Sequence, residues 1–61
     1  METSVLIVED EAAIVTLLRY NLEREGFRVY STGDGEEAVA MVKDYKPDVI
    51  VLDWMLPSMS G

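Results

Sequence analysis

The sequence predicts an α/β fold with the element order β-α-β-α-β and a parallel sheet. Three observations lead there. Two short segments, Val5–Val8 and Val49–Leu52, are apolar without alternation, as strands buried on both faces are. Two segments between them carry apolar residues at helical spacing, and a third short segment alternates in polarity. Strands and helices therefore take turns along the chain, which means a parallel sheet with right-handed crossovers.

Taken in order, Ser4-Val5-Leu6-Ile7-Val8 is the first strand. After Glu9-Asp10-Glu11, the residues Ile14, Leu17, Leu18 and Leu22 fall on one face of a helix running to about Glu25. Gly26 supplies its stop, because glycine takes the left-handed conformation that closes a helix. Phe27-Arg28-Val29-Tyr30 alternates at period two, the mark of a strand with one more exposed face, at an edge of the sheet. Thr32-Gly33-Asp34-Gly35 is turn chemistry; Asp34 suits the N-cap of the next helix, and Glu37 the acidic half of a capping box. Ala38, Met41, Val42 and Tyr45 give the apolar face of that second helix, which Pro47 ends. Val49-Ile50-Val51-Leu52 is the third strand, with Asp53 at its carboxyl end. The tail Trp54-Met55-Leu56-Pro57-Ser58-Met59-Ser60-Gly61 reads as loop. A spatial order two-one-three puts the apolar first strand at the centre. The third strand is then an edge with the composition of an interior strand, which invites pairing with another chain.

Composition narrows the functional classes. The chain has 61 residues, no cysteine, no histidine, and 12 Asp+Glu against 5 Lys+Arg, a formal charge of -7. Neither a disulfide framework nor a Cys/His zinc site can be built. A chain this short buries only about 60% of its unfolded surface, so its core is marginal. An apolar content of 49% is that of a folding domain rather than an acidic tail. No apolar run approaches the roughly 20 residues of a membrane span. The first residues do not read as a signal peptide, since Glu2 stands where a basic region belongs, and a cytoplasmic location is the expectation. The negative charge repels phosphate backbones and anionic lipid, so neither direct nucleic-acid contact by this segment nor a membrane partner is expected. A cation is the natural ligand.

In open parallel sheets ligands bind beyond the carboxyl ends of the strands, where strand order reverses. The residues delivered there are Glu9 and Asp10 after the first strand and Asp53 after the third. Three carboxylates at roughly 4 to 6 Å repel one another unless a cation intervenes. Magnesium suits such a group, binding through one or two carboxylates and keeping water or a phosphate as further ligands. One carboxylate is then available as a nucleophile that forms an acyl phosphate. Plainer roles exist for each residue alone: Asp10 suits a helix N-cap, Glu11 a first helical turn, and Asp53 a strand end. Their coincidence after the two fully apolar strands favours a site. A dinucleotide fold or P-loop would need glycines where Glu9-Asp10-Glu11-Ala12-Ala13 stands. Aspartyl-nucleophile phosphatases and toprim-like sites would need a second Asp two residues after the first, and Met55 stands there.

The strings Val5-Leu6-Ile7-Val8-Glu9-Asp10-Glu11, Gly33-Asp34-Gly35-Glu36-Glu37-Ala38 and Val51-Leu52-Asp53-Trp54-Met55-Leu56-Pro57, with Gly61, together resemble the receiver domain of bacterial response regulators, in the winged-helix OmpR/PhoB class. The resemblance covers the whole chain. It implies the first half of a doubly wound, flavodoxin-like (CheY-like) receiver over residues 1–61, with strands four and five absent. It further implies a two-component signalling domain controlling transcription, a phosphoacceptor and not a turnover enzyme. Asp53 would take a phosphoryl group from a partner histidine kinase. Asp10 and Asp53 would hold Mg2+ with the backbone carbonyl of Met55, and Glu9 would assist directly or through water.

A complete receiver also carries a Ser or Thr and a Lys on later strands, which contact the phosphoryl group. Lys43 and Lys46 cannot replace that lysine, because they lie at the amino end of the third strand, a roughly 16 Å strand away from Asp53. Ser58 and Ser60 are in the wrong loop. The chain alone is therefore expected to bind magnesium weakly and accept phosphoryl groups poorly. The alternative function is a non-catalytic assembly module, a half-domain that forms a homodimer through its exposed third strand.

Overall fold

The computed structural model describes residues 2–52, and within them the element order is β1 (Ser4–Val8), α1 (Ala12–Arg24), β2 (Arg28–Thr32), α2 (Gly35–Tyr45) and β3 (Val49–Leu52). The strands form one parallel sheet in the order β2-β1-β3, as the sequence predicts. Val5 lies between Val29 and Val49, Leu6 between Tyr30 and Ile50, Ile7 between Ser31 and Val51, and Val8 between Thr32 and Leu52.

Successive side chains leave a strand on opposite faces, so this register sorts the sheet into two layers. On one face Val5, Ile7, Val29 and Val51 pack with Val15, Leu18, Leu22 and Phe27 of α1 and its exit. On the other, Leu6 and Ala38 are buried, and the rings of Tyr30 and Tyr45 stack with centroids 4.6 Å apart. The central strand is closed on both sides, with Ile7 fully buried.

Helix α1 departs from its expected packing face. Ile14 and Leu17 were expected inside with Leu18 and Leu22, yet Leu17 is 61% exposed and Ile14 is exposed too. The stripe that meets the sheet is Val15, Leu18 and Leu22. The helix is apolar over more than one side, and a three-stranded sheet is too narrow to cover both. Its C-terminus closes as expected at Gly26, φ 94°. The Gly26 N–H donates to the Glu23 carbonyl at 3.0 Å and the Phe27 N–H to the Leu22 carbonyl at 3.1 Å, the paired bonds of a Schellman turn, with Phe27 and Leu22 both packed on the core.

Strand β2 runs two residues further than expected, through Thr32, because Thr32 is a buried ladder residue rather than part of the turn. Asp34 caps α2 as predicted, its side chain accepting the Glu36 N–H at 3.0 Å. Glu37 does not complete a capping box: its carboxylate accepts the Thr32 hydroxyl instead. At the far end Lys46 caps α2 in the left-handed region, φ 51°, one residue before Pro47. The expected β3 edge is observed, with Val49, Ile50 and Leu52 each nearly half exposed. Among the described residues no helix is long and apolar enough to cross a membrane.

Candidate functional site

The carboxyl ends of β1 and β3 finish level, because Val8 pairs with Leu52. Glu9 and Asp10 follow Val8 directly, and Asp53 is the residue after Leu52. Glu9 and Asp10 are described; Asp53 and Met55 lie outside the described residues, as do Trp54, Met59 and the rest of the tail. Among the described residues no three acidic side chains gather in a way that could hold a metal ion.

The two described acids occupy different environments. Glu9 is buried, 7% exposed, and its backbone N–H donates to the Thr32 carbonyl at 2.9 Å, carrying the β1–β2 ladder one residue past β1. Its carboxylate turns toward the start of α1, where Oε2 accepts the Glu11 N–H at 2.8 Å. A carboxylate there is favoured by the unsatisfied N–H groups and the helix dipole. Asp10 is exposed and is not the N-cap of α1; that place belongs to Glu11, whose side chain makes no cap bond. Glu11 is thus also outside the first helical turn, contrary to its plain reading. With Glu9 serving the helix start, Asp10 is left for other work.

The third wall is the β2–α2 connection. A Cβ on Gly33 would stand 3.2 Å from Asp10 Cα and 3.5 Å from the Glu9 carbonyl, so the backbone approaches the acid pair more closely than a side chain would comfortably allow. The Thr32 hydroxyl secures this connection from beneath, donating to Glu37 and accepting the Asp34 N–H at 3.1 Å. From the sequence Thr32 and Gly33 read only as turn residues. Their roles depend on contact with β1, which turn chemistry does not encode.

Oxygen donors of this kind, one buried and oriented and one exposed to water, fit a hard divalent cation that keeps part of its hydration. Comparison with known proteins supplies the family. The family described as the response regulator receiver domain matches residues 5–61. The chain belongs to that family. The β2-β1-β3 order read from the strand pattern is consistent with the flavodoxin-like receiver fold that the resemblance implies, and receiver domains of response regulators are signalling domains.

Two relatives are similar over all of the chain. It is 54% identical to the alkaline phosphatase synthesis transcriptional regulatory protein PhoP of Bacillus subtilis, and 49% identical to the phosphate regulon transcriptional regulatory protein PhoB of Rhizobium meliloti. The string Asp53-Trp54-Met55-Leu56-Pro57 resembles that of the phosphate-regulon regulator PhoB, and the second of these names agrees with that resemblance. The chain spans about a quarter of the length of these curated relatives, 25% and 27%.

Proposed function

We propose that this receiver is a phosphoacceptor of a two-component system, taking a phosphoryl group from a histidine kinase onto Asp53. The observation that carries the proposal is the level finish of β1 and β3, with Glu9 and Asp10 following one strand and Asp53 the other. In the transfer, a carboxylate oxygen of Asp53 attacks phosphorus. The phosphorus–nitrogen bond of the donor phosphohistidine breaks, and its electron pair stays with the imidazole. The product is an acyl phosphate on Asp53. Magnesium, when held by Asp10, Asp53, the Met55 backbone carbonyl and Glu9 directly or through water, supplies positive charge that offsets the carboxylates and the phosphoryl oxygens. Glu9 serves from a side chain already oriented by the Glu11 N–H, and Asp10 from the open side.

The reading extends to a cytoplasmic regulator whose phosphorylation controls transcription, by the likeness to the transcriptional regulatory proteins PhoP and PhoB. DNA contact would fall to another part of such a protein, since this segment carries a charge of -7. The domain signals by its phosphorylation state and turns over no substrate. Incubation with a phosphorylated kinase and magnesium should label Asp53, slowly on this chain alone, and Asp53→Asn should abolish the label. Equal labelling of the Asp53→Asn protein would overturn the proposal.

A second reading is favoured by the exposure of Val49, Ile50 and Leu52, namely homodimerisation through the β3 edge. Sedimentation at micromolar concentration decides it, a single monomeric species being the result that removes it.

A further inference from the structure

The two outer strands are held to β1 by different means. Along β2 the pattern itself sets the register: Val29 faces the α1 layer, and a one-residue slip would replace it there with Arg28 or Tyr30. Val49-Ile50-Val51-Leu52 offers no such discrimination. A slip by one residue would exchange Val49 and Val51 for Ile50 and Leu52, apolar for apolar, on a strand that is already half exposed. Hydrophobic burial alone leaves β3 free to slide.

A polar clasp lies where β3 begins. The Ser4 N–H donates to Asp48 Oδ2 at 2.8 Å, and the Ser4 hydroxyl donates to the same oxygen at 3.2 Å. In return the Asp48 N–H donates to the Ser4 carbonyl at 2.9 Å and lies 3.2 Å from the Ser4 Oγ. In a regular parallel ladder the Ser4 N–H would meet a main-chain carbonyl of the neighbouring strand. Here the Asp48 carboxylate takes that place, just after the left-handed cap of α2 at Lys46. These bonds exist in one register only.

We infer that the Ser4–Asp48 clasp is the register pin of β3, and that Ser4 and Asp48 are positioning residues for Asp53. The inference about Asp53 rests on the phosphoacceptor reading above; the pin itself does not. With Val5 set opposite Val49, Val8 falls opposite Leu52 and the strand ends finish level. A slip by one residue would bring Leu52 or Trp54 to the place in the chain that follows that pair. The pin acts from the opposite end of β3, roughly 16 Å along the chain from Asp53 at the usual rise of a strand.

The test compares Asp48→Ala, Asp48→Asn and Ser4→Ala in the full chain, with two readouts. Cross-strand nuclear Overhauser contacts report whether Leu6 faces Ile50 or one of its neighbours, and phosphoryl uptake by Asp53 reports its placement. Asp48→Ala should weaken the Leu6–Ile50 contacts in favour of a second set and slow uptake about tenfold or more. Asp48→Asn, whose amide oxygen can still accept both Ser4 donors, should restore both. A general loss of stability would not be rescued in register and rate together while leaving β1–β2 contacts intact in the alanine variant. If Asp48→Ala does not fold, Ser4→Ala decides, since it removes only the hydroxyl and should populate the second register in part. Retention of one register and of the unsubstituted uptake rate in the alanine variants would overturn the inference. Should the unsubstituted protein fail to label Asp53, the phosphoacceptor reading falls, and the contacts alone still decide the pin.

Discussion

The two flanks of the sheet manage the same hazard in opposite ways. The Arg28 N–H and Thr32 carbonyl face toward β1, so the outward backbone groups of β2 are those of Val29 and Ser31. Arg19 reaches over from α1 to this edge, donating to the Val29 carbonyl at 3.3 Å and the Ser31 hydroxyl at 2.9 Å. Arg28 adds an ion pair with Glu2 at 3.0 Å, and the Glu2 hydrogen bond holds its guanidinium above its ordinary pKa. Folded-state stabilisation by such a raised group is present below the unfolded value and lost only as pH rises through the folded one, so Arg28 stays charged across the whole working range. Along β3, among the described residues, no side chain hydrogen-bonds to the backbone of Val49–Leu52. An open apolar edge accepts a further strand, whereas one crossed by an arginine does not. The sheet thus has one closed side and one receptive side.

Three substitutions probe this asymmetry. Ile7→Ala removes what both flanks share, the fully buried centre of β1, and should cost about 2–5 kcal/mol in urea unfolding, enough to unfold so small a domain. A loss under about 1 kcal/mol would mean that the flanks do not depend on a common core. Arg19→Ala should turn the closed edge into a second open one. It is expected to cost about 0.5–1.5 kcal/mol and to increase self-association in sedimentation velocity. Unchanged association would show that the helix, and not its arginine, closes β2. Lys46→Gly relieves the left-handed cap on the approach to β3 and should raise stability by about 0.5 kcal/mol, read as a small rise in melting temperature. No rise would place the strain elsewhere on that flank.

The same contrast explains what could be read from the sequence. β1 and β3 stand out because four successive apolar β-formers leave few other structures, and Gly26 and Asp34 mark helix ends by local chemistry that needs no partner. The error on α1 has a different origin: periodicity finds an apolar stripe, but the width of the sheet chooses which stripe is covered, and Val15 displaced Ile14 and Leu17. At the site, the acid pair was legible because it directly follows a strand, while the assignment of Glu11 as cap was not, since Glu9, Asp10 and Glu11 all have suitable side chains. The Ser4–Asp48 clasp joins residues 44 apart, and nothing local distinguishes that aspartate from a solvated one. Contacts made only by folding are the ones that sequence periodicity misses.

Glu9 and Asp10 are neighbours in the chain, yet under the proposed magnesium-binding role they would not contribute equally. Glu9 has surrendered most of its rotamer freedom during folding, held between the Thr32 carbonyl at its backbone and the Glu11 N–H at its carboxylate. Asp10, exposed, still has that entropy to lose. Under that proposal the buried acid would be the preorganised half of the pair, and the ordering cost of binding would fall chiefly on the exposed one.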